Sequence, residues 1–70
     1  MAASYKKLWK LLIDRDMKKK DLRELTKISS STIAKMTKNE PVSTDVLIQI
    51  CAVLNCDVGD IMEIVPDNKE

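Results

Sequence analysis

The sequence predicts an all-α domain built from five short helices. Three observations carry that prediction. Apolar residues recur at helical spacing in five blocks, and each block is opened by a capping residue. One glycine and two prolines in 70 residues leave too few turn formers for a sandwich or barrel. Hydrophobic residues make up 44% of the chain, enough for a single core, although this length lies near the lower limit for folding on one. The whole chain, 1–70, is therefore read as one domain.

The first helix is expected over 4–14, with Ser4 as its N-cap. Tyr5, Leu8, Trp9, Leu12 and Ile13 fall on one stripe, and Lys6, Lys7 and Lys10 lie mostly off it. Leu11 is apolar and off the stripe, so it either widens the buried face or touches a partner. The second helix is expected over 18–26. Met17 and Leu22 form a hydrophobic staple around a cap at Lys18. Lysine has no side-chain acceptor, and Asp21 in the first turn compensates. Leu22 and Leu25 are the expected inward residues. The third helix is expected over 30–38, capped by Ser29 and stapled by Ile28 and Ile33. Ile33 and Met36 face inward, and Ser30, Ser31, Thr32, Lys35 and Lys38 face outward.

The fourth helix is expected over 44–54, with Ser43 as cap and Val42 and Leu47 as staple. Leu47, Ile50, Cys51 and Leu54 form its stripe. Val46, Ile48, Ala52 and Val53 make it apolar almost all round, as befits a central helix. Asn55 suits the left-handed residue that ends it. The fifth helix is expected over 58–64, with Asp57 as cap and Cys56 and Ile61 as staple. Pro66 stops it, and residues 66–70 read as a frayed tail.

The link from Thr26 to Ser29 is tight, with only residues 27–29 between the second and third helices. Two helices joined by so few residues must cross steeply, the geometry of a helix-turn-helix. The charge is divided along the sequence. Residues 1–38 hold eleven bases and four acids, a formal +7; residues 39–70 hold one base and seven acids, a formal −6. The basic half attracts a polyanion and the acidic half keeps the remaining surface off it. Both helices of the helix-turn-helix lie in the basic half. Lys18, Lys19 and Lys20 stand at the start of its first helix, where backbone N–H groups and the helix dipole also favour phosphate.

The same composition argues against catalysis. There is no histidine, and Ser29, Ser30 and Ser31 have no base to activate them, so no catalytic residue, metal ligand or cofactor is assigned. Cys51 and Cys56 match no common zinc or redox spacing, and on a helix that spacing turns them onto different faces. They read as two buried hydrophobes in a reducing compartment. No apolar run approaches the ~20 residues of a membrane span, and Met1-Ala2-Ala3-Ser4 lacks the layout of a signal peptide. The expectation is a soluble, cytoplasmic protein with no membrane or small-molecule partner.

Several pieces match a family pattern in order and spacing: Leu22, the turn Thr26-Lys27-Ile28-Ser29, Ser31-Thr32-Ile33, the run Val46 to Cys51, and Val58-Gly59-Asp60-Ile61. Over roughly 5–64 the chain resembles the phage-repressor, or Cro-type, helix-turn-helix regulators, also called the XRE family. The resemblance implies a lambda-repressor-like fold whose second motif helix enters the DNA major groove. It implies base contacts from Ser30, Ser31, Thr32 and Lys35. It implies phosphate contacts from Lys18, Lys20, Arg23, Lys38 and Asn39, and from Lys19, which at the family's glutamine position would clamp phosphate or approach a base. Three departures stand out. Arg23 replaces a preferred alanine. Lys27 replaces a common turn glycine, which costs strain if that residue needs positive φ. Leu12 and Thr37 occupy the places of an Arg–Glu pair, which suggests apolar packing there.

The function expected is therefore sequence-specific binding of double-stranded DNA by a transcriptional regulator, a repressor. So small a domain touches few base pairs, which favours a homodimer on an inverted-repeat operator. Met62, Ile64 and Val65 are the candidate interface, or they simply cap the core. The alternative function is a protein-interaction module, such as the antitoxin or adaptor half of a pair, whose acidic half binds a basic partner.

Overall fold

Four α-helices form where the caps and apolar blocks place them: α1 over Lys6–Asp14, α2 over Lys19–Thr26, α3 over Ser30–Thr37 and α4 over Thr44–Leu54. The computed structural model describes residues 1–66, so Asp67 to Glu70 of the expected tail lie outside the described residues. The Ser29 and Ser43 hydroxyls accept from the N–H three residues on, Thr32 at 3.2 Å and Val46 at 3.3 Å. Lys18 offers no such acceptor. Asp21 reaches back, and its Oδ2 accepts from the Lys18 N–H at 2.9 Å.

Each helix ends on one residue in the left-handed region: Asp16, Lys27, Asn39 and Asn55, with φ of 56°, 62°, 60° and 55°. Three of the endings are Schellman motifs. The N–H groups of Met17, Glu40 and Cys56 donate to the carbonyls of Leu12, Lys35 and Cys51 at 2.8, 2.9 and 3.1 Å. α2 takes the simpler left-handed form, in which the Lys27 N–H donates to the Arg23 carbonyl at 2.8 Å.

The core draws Tyr5, Leu8 and Leu12 from the α1 region, and Leu22, Ile28, Ile33 and Met36 from the α2–α3 region. Ile50, Leu54 and Ile61 complete it, with α2 packed on both α3 and α4. Two expected inward residues point out: Ile13 is 72% exposed and Leu25 59%. Each sits about 100° round its helix from the neighbour that is buried, Leu12 or Thr26. Thr26 can take the inner position because its hydroxyl donates to the Leu22 carbonyl at 2.7 Å.

The chain is not purely helical, and the fifth helix over 58–64 does not form. Asp57 does cap a turn, accepting from Val58 N–H at 2.8 Å, but it is a single 3₁₀ turn over Val58–Asp60. Strand β2, Glu63–Val65, follows and pairs antiparallel with strand β1, Ala2–Ser4, matching Ala2 to Val65 and Ser4 to Glu63. Ile64 and Val65 are β-branched, and Val65 precedes a proline, which disfavours helix at that residue. The strand displaces Ser4 from the expected cap position. Tyr5 becomes the N-cap, and the Ser4 hydroxyl lies 3.5 Å from the Lys6 N–H. The two cysteines also meet rather than diverge. The Schellman turn folds Cys56 back over the last turn of α4, which brings the two half-buried thiols close enough to influence each other. Burial, then the neighbouring thiol and the carboxylates of Asp57 and Asp60, push the Cys51 thiol above its usual range.

Candidate nucleic-acid interface

The link from α2 to α3 is three residues long, Lys27, Ile28 and Ser29. Lys27 makes the reversal with left-handed backbone, Ile28 drops into the core, and Ser29 caps the next helix. That is how so short a link holds α3 across α2. Lys27 adopts the conformation that glycine would adopt without a Cβ penalty.

Ser30, Ser31 and Lys35 are exposed on α3, and Thr32 is half-buried. The Ser29 hydroxyl lies 3.0 Å from both the Ser31 and Thr32 hydroxyls, so these side chains form a small network at the start of α3. Lys18, Lys20, Lys35 and Lys38 are exposed and have no ion-pair partner among the described residues. Arg23 is half-buried, as expected of a long side chain that must leave the α2 surface outward.

Two basic residues are engaged elsewhere. Lys7 donates to the Gly59 carbonyl at 3.1 Å and lies 4.0 Å from the Glu63 carboxylate, tying α1 to the acidic half. Lys19 donates from Nζ to the Thr37 hydroxyl at 3.0 Å, and its ammonium sits 4.3 Å from the centre of the Trp9 ring. The positions of the missing Arg–Glu pair are thus joined differently from the apolar packing expected. Leu12 is buried, while Thr37 takes a hydrogen bond from a lysine of α2. The sequence singled out Lys19 but not its two holders. A lone tryptophan on the helix before the Lys18-Lys19-Lys20 run was the available signal, and it reads equally well as core.

Asn39 has a structural duty beside its expected phosphate contact. Its Oδ1 accepts from the Tyr5 N–H at 3.2 Å at the start of α1, which leaves its amide N–H groups as the donors. The Tyr5 hydroxyl donates to the Glu40 carbonyl at 3.0 Å and closes the same joint. Among the candidate interface residues near the C-terminus, Met62 packs on the core, Val65 is half-buried in β2, and Ile64 is 57% exposed.

Two packed helices joined by a three-residue turn, the outer one small-polar and basic, define a helix-turn-helix domain. The chain matches the Cro/C1-type helix-turn-helix DNA-binding domain over residues 7–67 and belongs to that family. Among solved structures it is similar to the transcriptional regulator VanUg (crystal form II), at 62% identity and a TM-score of 0.92. That match covers 94% of this chain and 88% of the other. No match was found among curated proteins. No helix among the described residues is long and apolar enough to cross a membrane.

Proposed function

We propose that this protein is a sequence-specific, double-stranded DNA-binding transcriptional regulator that reads the major groove with α3. The observation that carries the reading is the exposed set Ser30, Ser31 and Lys35 on the outer helix of a helix-turn-helix, beside exposed Lys18, Lys20 and Lys38, which have no ion-pair partner among the described residues. Serine and threonine hydroxyls, Thr32 included, bond to several base edges, and Lys35 suits guanine O6 and N7. Lys18, Lys19, Lys20, Arg23, Lys38 and the Asn39 amide set the register on phosphates. The likeness to VanUg, a transcriptional regulator, supports a regulatory role, and the resemblance to phage repressors favours repression. A homodimer on an inverted repeat fits the small footprint, with exposed Ile64 as the main apolar contact and Val65 beside it.

Selection from random duplex DNA, with the enriched pool titrated across salt, tests this reading. The expected result is an inverted repeat bound with a steep salt dependence, to which Lys18 and Lys20 each contribute a slope of about 0.9. Salt-sensitive binding with no enriched sequence, or no binding, overturns it.

A second reading, a protein-interaction role for the acidic half, is favoured by one feature. Leu47, Ile48, Cys51, Ala52 and Val58 line an open groove of about 640 Å³, within the range of ligand-sized sites, along α4 and the 3₁₀ turn. Asp57 lines it as well, and Asp60 lies close enough to act on Cys51. An apolar floor with an acidic rim fits a basic amphipathic segment of another protein. A synthetic Lys/Leu amphipathic peptide should perturb Ile48 and Val58 in NMR spectra, and its Glu/Leu counterpart should not. Equal responses to both peptides exclude this use of the groove.

A further inference from the structure

We propose that Trp9 is a positioning residue for DNA binding. With the Thr37 hydroxyl, it holds the Lys19 ammonium in place as a phosphate clamp. The inference rests on the DNA-binding reading above and specifies how one of its contacts is prepared.

The geometry holds the ammonium of this α2 lysine from two other helices. The Trp9 ring, from α1, lies 4.3 Å from Lys19 Nζ, within cation–π range. Thr37, from α3, receives a hydrogen bond from Nζ at 3.0 Å. The Thr37 hydroxyl proton is committed, donating to the Ile33 carbonyl at 3.0 Å, so towards Lys19 its oxygen can only accept. An ammonium has three N–H donors. Thr37 takes one, and the ring attracts the charge without requiring a specific N–H acceptor. Donors therefore remain for a phosphate oxygen on the exposed side of Lys19.

This arrangement matters because a lysine is a point charge on a flexible four-carbon stem. An unrestrained lysine loses rotamer freedom when it grips a phosphate. Lys19 has given up much of that freedom already in the folded chain. Lys18 and Lys20 have no ring or side-chain hydrogen bond holding their ammonium groups among the described residues. One of three consecutive lysines is thus preorganised, and its anchor on α3 ties it to the helix that carries the base-reading candidates.

A double-mutant cycle on a random-sequence duplex, with a salt titration for each chain, tests the proposal. Lys19→Ala should flatten the log–log salt slope by about 0.9. Trp9→Leu should weaken binding about three- to tenfold in the Lys19 chain and have no further effect in the Lys19→Ala chain. Trp9→Tyr, which keeps an aromatic face, should recover most of the loss. Thr37→Val, at an exposed position, provides a second arm if Trp9→Leu folds poorly, and it should likewise lose its effect without Lys19. Equal losses in both backgrounds overturn the inference and leave Trp9 a packing residue. A Lys19→Ala chain with an unchanged salt slope and a lower melting temperature overturns it too, making Lys19 a strut between helices. Absence of salt-dependent binding by the unaltered chain sinks the DNA-binding reading, and this inference with it.

Discussion

α3 and α4 are built alike and face the solvent with opposite chemistry. Each opens on a serine that accepts from the third helical N–H, each carries a hydrophobic staple, and each closes with a Schellman motif. Their inner faces, Ile33 and Met36 in one and Ile50 and Leu54 in the other, share one core. Outside, α3 shows Ser30, Ser31 and Lys35, with Lys38 at its C-cap, whereas α4 beyond its first turn shows Ile48, Ala52 and Val53 beside Gln49. Caps and inner faces make a helix in either case. The outer face decides what the helix can meet: a polyanion for α3, an apolar surface for α4.

The largest effects should come from the shared inner face. Ile33→Ala and Ile50→Ala should each cost about 2–5 kcal/mol, Ile50 more because it is fully enclosed. Denaturant unfolding followed by circular dichroism measures both, and an unchanged midpoint for either would show that its inward assignment is wrong. The outer faces should separate next. Lys35→Ala should relax discrimination at one base pair by about 1–3 kcal/mol, while Ile48→Ser should leave sequence discrimination intact. Equal loss on operator and random DNA from Lys35→Ala removes its base-reading role.

The caps should then prove equivalent. Ser29→Ala and Ser43→Ala should each lower stability by about 1 kcal/mol, and a much larger DNA-binding defect for Ser29→Ala would tie its hydroxyl network to recognition. Lys27→Gly should raise stability by about 0.5–1 kcal/mol, because relief of left-handed strain exceeds the glycine's added unfolded-state entropy. A lower melting temperature would show that the Lys27 side chain contributes more than its backbone costs. The smallest effect concerns Tyr5, which joins α1 to Glu40 between the two halves. Burial raises its phenol above the ordinary 10.0, partly offset by the Val42 backbone. Its contribution to stability is therefore complete below that value and is lost as pH rises through the folded-state pKa. As the chain's one tyrosine, it gives a clean phenolate absorbance, which should grow in together with alkaline loss of helix.

The legible parts of this fold are local. Ser29, Ser43, Asp21 and Asn55 act within a few residues of themselves, so sequence spacing suffices to place them. Leu25 and Ile13 show the limit, since a helical stripe is wider than the face a small core can cover. The C-terminal strand shows another. Its partner, Ala2–Ser4, lies at the opposite end of the chain, and no local pattern announces that pairing. The site divides the same way. The basic half and the outer face of α3 can be read directly from residue types, whereas Asn39's bond to Tyr5 and Lys19's seat between Trp9 and Thr37 depend on which helices meet.

By itself the sequence determined four helices, a tight turn between two of them, and a charge division that places the bases around that turn. It could do so because caps, staples and periodicity act over a single helical turn and formal charge needs no geometry. Only the tertiary structure decided that Ala2–Ser4 and Glu63–Val65 pair as strands. It also decided which lysines stand clear and which are held. Those outcomes depend on contacts between residues far apart in sequence, formed once burial of the shared core has fixed how the helices cross.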